Sequence, residues 1–197
     1  MRIIAGSEKN RTVKCKKGLE TRPTLGILRE ALFSILNGAV AGSRFLDLFS
    51  GSGAIALEAL SRGAERAVMI ESDPEALAIL IGNINALGYA ERCRAYKNDV
   101  FRAVAILGRK GEQFDLIFMD PPYNQEVCGK VVEAVDRNGI SAAGGLVVCE
   151  HHKGEKLANK IGNFRKSDER IYRNKVFTFY RQEKENGQSE AYKGEKA

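Results

Sequence analysis

Arg44-Phe45-Leu46-Asp47-Leu48-Phe49-Ser50-Gly51-Ser52-Gly53-Ala54-Ile55-Ala56 reads as a buried strand that runs through a glycine turn into a helix. The unit recurs down the chain. The helix over 54–61 is closed by Gly63. A strand over 67–70 then stops at Glu71, and a helix over 74–86 follows, with Pro74 in its first turn and Gly88 beyond its end. A weaker strand over 94–96 leads through Asn98-Asp99 into a helix ending near Leu107. The strongly apolar strand over 114–119 is stopped by Asp120-Pro121-Pro122-Tyr123. A helix over 127–135, a strand over 145–149 and a closing hairpin near 164–171 and 176–181 follow. Ahead of them all, apolar residues at helical spacing from Ile27 to Leu36 predict a first helix. This alternation predicts an α/β fold with a mostly parallel, seven-stranded sheet and helices on both faces. Right-handed crossovers place the carboxyl ends of the parallel strands on one edge. Asp47, Glu71, Asp99 and Asp120 all stand at such ends.

Working outward, 197 residues suit one domain over 25–182, with additions at either end. Residues 1–24 break the alternation: Ile3-Ile4, Thr12-Val13 and Leu19 among polar and basic residues predict a short β-hairpin lying over the active-site edge. Residues 183–197 are polar and mixed in charge, and are expected to be a disordered tail. Net charge is +5 over 1–30, −4 over 31–152 and +5 over 153–197, within a total of +6. A basic periphery around an acidic centre suits a protein that grips a polyanion and holds a cationic ligand inside. Lys9, Arg11, Lys14, Lys16, Lys17 and Arg22, interrupted only by Glu8 and Glu20, predict a phosphate-binding arm. Cys15, Cys93, Cys128 and Cys149 form no C-x-x-C pair, so neither a zinc site nor a disulfide framework is expected; the last three read as core residues. No metal, no membrane span and no secretion signal are expected, and the expected location is the cytoplasm.

The turn after the first strand, G-x-G-x-x-A, fits a dinucleotide site as well as a nucleoside one. Its glycines allow a tight turn and a ligand close to the backbone, and Glu71 ends the next strand where an acid can accept ribose hydroxyl protons. Electrostatics separates the two. A pyrophosphate at this loop wants no acid nearby, yet Asp47 and Asp120 flank it. S-adenosylmethionine carries an ammonium and a sulfonium, which those acids attract. The expected cofactor is therefore S-adenosylmethionine, leaving as S-adenosylhomocysteine, with Phe49, Ser50, Gly51, Gly53 and Ser72 around it. Asp99 would accept a hydrogen bond from the adenine amino group, with Val100 as apolar neighbour; Asp99 also suits an N-cap of the following helix, and the two roles are compatible.

Asp120-Pro121-Pro122-Tyr123 cannot continue a central strand, so the chain leaves the sheet in a fixed extended turn. Elsewhere such a turn would be merely rigid. At the end of the fourth strand it offers the Asp120 carboxylate, the Pro121 carbonyl and the Tyr123 ring. Exocyclic amines on bases are poor nucleophiles, because the lone pair is delocalised into the ring. Two acceptors on the two N–H bonds can pyramidalise the nitrogen and aim its lone pair for an in-line methyl displacement. The Tyr123 face can stack on a base drawn out of its helix or loop.

The opening M-R-I-I-A-G, T-R-P-T at 21–24, R-E-A-L-F-S-I-L at 29–36, L-D-L-F-S-G-S-G, L-E-A-L-S-R-G-A and M-D-P-P-Y together resemble the bacterial small-subunit ribosomal RNA guanine-N2 methyltransferases, the RsmD family. The resemblance runs from Met1 to about Arg181. It implies a Rossmann-like, class I S-adenosylmethionine-dependent methyltransferase that modifies one guanine of 16S rRNA in a partly assembled small subunit, acting as a monomer. It implies that Asp47, Ser50, Gly51, Gly53, Glu71 and Asp99 line the cofactor pocket, that Asp120 to Tyr123 form the catalytic turn, and that the hairpin touches RNA. Arg22 and Thr24 would lie near the cofactor or target, although Thr24 also suits an N-cap. The sequence departs from the family at Lys9-Asn10-Arg11, where the family favours a Gly beside the basic residue. Three other readings compete: a DNA adenine-N6 or other amino-methyltransferase with the same D-P-P-Y turn, a non-catalytic assembly factor, and a dinucleotide oxidoreductase. The chain leaves little room for the target-recognition region of a DNA enzyme, and the acidic turn argues against the other two.

Overall fold

The computed structural model describes residues 1–16, 23–122 and 127–183, with side chains from Gly26 in the second stretch. Lys17, Arg22, Tyr123 and the side chain of Thr24 lie outside the described residues, as do residues 184–197. Among the described residues, five helices and eight strands follow in the order α1 (Pro23–Ile35), β1 (Arg44–Asp47), α2 (Ala54–Ser61), β2 (Arg66–Glu71), α3 (Pro74–Leu87), β3 (Cys93–Lys97), α4 (Val100–Arg109), β4 (Phe114–Met119), α5 (Cys128–Arg137), β5 (Ser141–His152), β6 (Lys160–Ile161), β7 (Phe164–Tyr172) and β8 (Lys175–Gln182). They form one sheet in the order β3-β2-β1-β4-β5-β8-β7-β6. The first five pair in parallel and the last three antiparallel. The sequence predicts seven strands; the eighth is β6, whose two residues are too few to show a period.

The central strands are apolar on both sides because both sides are covered. Phe45, Met69, Leu116 and Phe118 face one core with Leu28, Leu32 and Phe33 of α1, Leu57 and Leu60 of α2, and Leu80 and Ile84 of α3. Leu46, Ile70, Ile117 and Met119 face the other, with Val104 of α4 and Val131 and Val135 of α5. Cys93, Cys128 and Cys149 are buried in these cores. Local chemistry fixes the helix ends: Asp73 caps α3 by accepting from Glu75 N, and Asp99 caps α4 by accepting from Phe101 N and Arg102 N. β5 begins four residues ahead of the expected 145–149. A bulge near Gly144 (φ 73) shifts its register against β4 between Phe114 and Leu116, and the Gly144-Gly145 pair conceals the strand in the sequence. No described helix is long and apolar enough to cross a membrane.

The N-terminal segment matches expectation in part. Its hairpin is one antiparallel bridge, Arg2 to Thr12, reinforced by Ile3 N donating to Arg11 O and Asn10 N to Ile3 O, both at 2.9 Å. Asn10 occupies the turn with φ 69, a left-handed value that asparagine tolerates, so the turn closes without the family's glycine. The hairpin packs along α2 and α3: its turn lies by the end of α3, away from the active-site edge, while Met1, Cys15 and Lys16 at its two ends reach that edge. The fully buried Glu58 carboxylate of α2 accepts from Ile4 N at 2.7 Å, Ala5 N at 3.0 Å and Arg62 Nε at 2.7 Å. The turn reaches Ala86 near the end of α3 through Arg11, at 2.6 Å. Burial of Ile3 and Val13, together with these backbone bonds, draws the segment down the helical face. At the other terminus Glu183, expected in a disordered tail, ion-pairs with Lys160 at 2.6 Å and Arg165 at 2.7 Å.

Removing Glu58 strands two backbone N–H groups and leaves the nearby Arg29, itself only 6% exposed, without a buried counter-charge. Glu58→Ala is expected to cost about 3–5 kcal/mol of unfolding free energy, read by denaturant titration, and to open residues 1–16 to limited proteolysis.

Candidate active site

The register of the parallel strands assembles the site. Asp47 lies opposite Met69 on one side and Phe118 on the other, and Phe118 pairs with Val148. Two residues further along each neighbour stand Glu71, Asp120 and Glu150. Side chains alternate along a strand, so all four acids fall on the same face of the sheet. They line a cavity of about 360 Å³, within the roughly 300–1,000 Å³ range of small-ligand sites.

The floor of the cavity is the turn after β1. Ser50 N donates to Ile70 O at 3.0 Å, Ser50 Oγ to Asp47 O at 2.9 Å, and Gly53 N to Ser50 O at 2.7 Å, which fold the chain back on itself. Gly53 has φ 80, which favours glycine in the turn, and a Cβ there would stand 2.3 Å from Leu80 Cδ1 of α3 and push that side chain aside. Glu71 braces the turn from the next strand: Oε2 accepts from Gly51 N at 2.7 Å and Oε1 from Asp73 N at 2.8 Å. Asn83 of α3 ties the turn to the N-terminal segment, donating to Ser52 O at 2.9 Å and Lys14 O at 2.8 Å while accepting from Lys14 N at 2.9 Å.

Asp47 is the electrostatic centre. It is 1% exposed, and its Oδ1 has no hydrogen-bond partner. Burial pushes its carboxyl up to about 7; amides at Phe49 and Ala56 oppose the rise, and the charges of Asp120 and Glu71 add to it. Asp120 is raised to about 7 as well, by burial first and then by Glu150, with Lys175 pulling it down. Two cations reach the cavity but are engaged elsewhere. Lys16 pairs with Asp73 at 2.8 Å and Glu75 at 2.7 Å, while Arg29 donates to the Arg2 carbonyl and to Met1 Sδ. The interior is therefore an apolar-walled acidic pocket suited to a cation.

Of the residues expected from the sequence, Asp47, Phe49, Ser50, Gly51, Glu71, Asp120 and Lys16 line the cavity. Gly53 shapes it from behind. Ser72, Asp99 and Val100 are not among its lining residues: Asp99 faces the start of α4 as a cap, and Val100 packs in the opposite core. Pro121 is buried and Pro122 exposed as the chain leaves β4. Lys14 is exposed beside α3, and Lys9 and Arg11 sit at the far end of the hairpin, near the opposite edge of the sheet. Sequence reading missed Arg29, Asn83, Glu150 and Lys175. A polar residue inside an apolar run was the available signal for Asn83 in I-G-N-I and for Glu150 after V-V-C. Among the described residues, no group of three or more His, Cys, Asp or Glu side chains is arranged to hold a metal ion.

Fold and acidic cavity together define a Rossmann-like methyltransferase. Residues 1–181 match the family described as Conserved hypothetical protein 95, and the chain belongs to it, the RsmD family. It is 30% identical over 191 residues to the Escherichia coli K12 ribosomal RNA small subunit methyltransferase D, across 97% of this chain and 94% of that one. Bacillus subtilis YlbH, provisionally named an rRNA methyltransferase, is 33% identical over 163 residues, covering 83% of this chain and 89% of its own. The solved Escherichia coli structure of yhhF, provisionally named a methyltransferase, superposes with a TM-score of 0.83 at 30% identity, covering 93% of this chain and 98% of that one.

A carboxyl group raised by burial favours folding while it is protonated. That contribution is complete below the unfolded-state value and is lost as pH rises through the folded-state value. Asp47→Asn is therefore expected to stabilise the ligand-free protein at pH 8, by on the order of 2–4 kcal/mol, with the gain shrinking toward zero at pH 4. Denaturant titration across that range checks both the sign and the window.

Proposed function

We propose that this protein transfers a methyl group from S-adenosylmethionine to the exocyclic N2 amino group of a guanine in 16S rRNA, acting in the cytoplasm as a monomer on a partly assembled small ribosomal subunit. The observation that carries the reading is the gathering of Asp47, Glu71 and Asp120 in one cavity at the carboxyl ends of adjacent strands. The cofactor fits this chemistry: the unpartnered Asp47 Oδ1 offers a buried acceptor to an ammonium, and Glu71 retains acceptor capacity for ribose hydroxyls. Asp47, Phe49, Ser50, Gly51 and Glu71 would hold it, with Gly53, Ser72, Asp99 and Val100 farther out. When bound, S-adenosylmethionine supplies an activated methyl group next to a positive sulfonium.

This chain's own residues then position the target. The Asp120 carboxylate and the Pro121 carbonyl accept the two N–H bonds of the amine, turning its lone pair out of conjugation. Tyr123 stacks on the flipped base, and the partly enclosed cavity limits water at the reacting centre. Lys14 and Lys16 lie along α3 between the cavity and the turn bearing Lys9 and Arg11, while Lys17 and Arg22 continue the same arm in the sequence. With α3 about 21 Å long at 1.5 Å per residue, such a track could follow several phosphates away from the target base. The name of the Escherichia coli relative supports a small-subunit rRNA substrate.

Labelled S-adenosylmethionine, offered with small-subunit particles, naked 16S rRNA and DNA, tests the assignment, followed by mapping of the modified base. Label on one guanine N2 in particles is the expected result; label confined to DNA adenine would overturn it. Asp120→Ala should lower transfer by about 100-fold or more while circular dichroism stays unchanged, and near-normal transfer by this variant would remove Asp120 from the mechanism.

A further inference from the structure

Glu150 near the end of β5 and Lys175 at the start of β8 meet beside Asp120. β5 and β8 run antiparallel, with Glu150 opposite Phe177 and His152 opposite Lys175. Glu150 and Lys175 are thus diagonal neighbours, within reach of long side chains. Their charged ends are in contact, and both side chains are nearly buried, with exposures of 7% and 11%. Lys175 Nζ also stands 3.8 Å from Asp120 Oδ2. One ammonium is therefore shared between two carboxylates at the base of the catalytic turn.

Among the described residues, each charged or titratable group facing Asp120 comes from a different element. β1 brings Asp47, β5 brings Glu150, β8 brings Lys175, and α5 brings the Cys128 thiol. Two of these are acids that oppose ionisation of Asp120, and one is a cation that favours it. An ion pair kept for packing alone would serve equally well anywhere along β5 and β8. This pair sits where its two members act on Asp120 with opposite sign.

We propose that Glu150 and Lys175 are positioning residues that set the proton affinity of Asp120: Lys175 keeps it ionised so that it can accept the amine N–H, and Glu150 keeps it basic enough to take the proton released by methylation. This rests on the methyl-transfer role of Asp120 given above. Gaining a methyl group leaves the amino nitrogen positively charged. One N–H bond then breaks, its electron pair stays on nitrogen, and the proton passes to an Asp120 carboxylate oxygen and on to water. A carboxyl raised to about 7 suits that exchange near neutral pH far better than an ordinary one.

The test is the titration of the Asp120 carboxyl carbon, followed by NMR in the full chain labelled with ¹³C-aspartate. Lys175→Met should move the midpoint up by about one unit or more, and Lys175→Arg should return it toward the wild-type value. Glu150→Gln should move it down. The acid limb of kcat/KM against pH should follow in the same directions. Midpoints unmoved in both variants, or moved the same way, would overturn the proposal. Should Lys175→Met fail to fold, Glu150→Gln and Lys175→Gln give the same two directions. Because the carboxyl titration needs no substrate, it separates the two ideas. Unmoved midpoints alongside an inactive Asp120→Ala sink only the role of the pair, whereas opposite shifts without transfer to any nucleic acid sink the methylation reading.

Discussion

Four carboxylates converge on one face of four adjacent parallel strands, and the rest of the structure is arranged around that convergence. It follows from register: Asp47 stands level with Met69 and Phe118, so Glu71 and Asp120, two residues on, share its face, and Glu150 comes level with Asp120. Nothing in the folding of a lone domain favours this. Desolvated like charges repel, and the raised Asp47 and Asp120 carboxyls record that cost. The sheet bears it because both faces of the strands are packed with apolar side chains, so the strands cannot slide to separate the acids without exposing a core. A bound cation would relieve the strain, which couples occupancy of the site to stability.

The opposite strategy operates at another buried acid. Glu58 lies fully within the α2 layer, yet it is surrounded by donors: two backbone N–H groups, Arg62 and, at 3.8 Å, Arg29. Where Asp47 leaves one oxygen without a partner, Glu58 is satisfied on both. The difference fits the cofactor role proposed for the one and makes the other a structural clasp. The clasp still bears on the site, because the segment it holds brings Met1, Cys15 and Lys16 to the cavity wall and occupies Arg29, which would otherwise compete for the acids.

How much of this was legible in the sequence depends on whether a contact is local. The turn after β1, the acid ending β2, the Asp99 cap and the stop at Asp120-Pro121 are each written in a short run of residues, and the helices and strands around them fell within a few positions of expectation. Parallel order then placed Asp47, Glu71 and Asp120 together, because right-handed crossovers leave little choice. Glu150 and Lys175 were not legible, since their meeting depends on the antiparallel pairing of β5 with β8 across 25 residues and on a bulge that lengthens β5. The path of the N-terminal hairpin was hidden for a related reason. Its basic residues suggested a ligand, but its position is set by Ile3, Val13 and an acid on α2.

Asp47 and Asp120 have similarly raised carboxyls but differ in access, and that difference matches the proposed division of labour. Asp47 is buried, so beyond the amides at Phe49 and Ala56 its charge is compensated by what fills the cavity. A group of that kind favours a cation over a proton whenever the cation is held by other contacts, the role proposed for the turn at Ser50-Gly51 and the Glu71 carboxylate. Asp120 is partly open at the mouth of the cavity and has Lys175 as a neighbouring cation. It can therefore change protonation state without the cavity emptying. A fixed anion at depth and an exchangeable one at the rim let the same fold hold a cation through a reaction while a proton leaves from beside it.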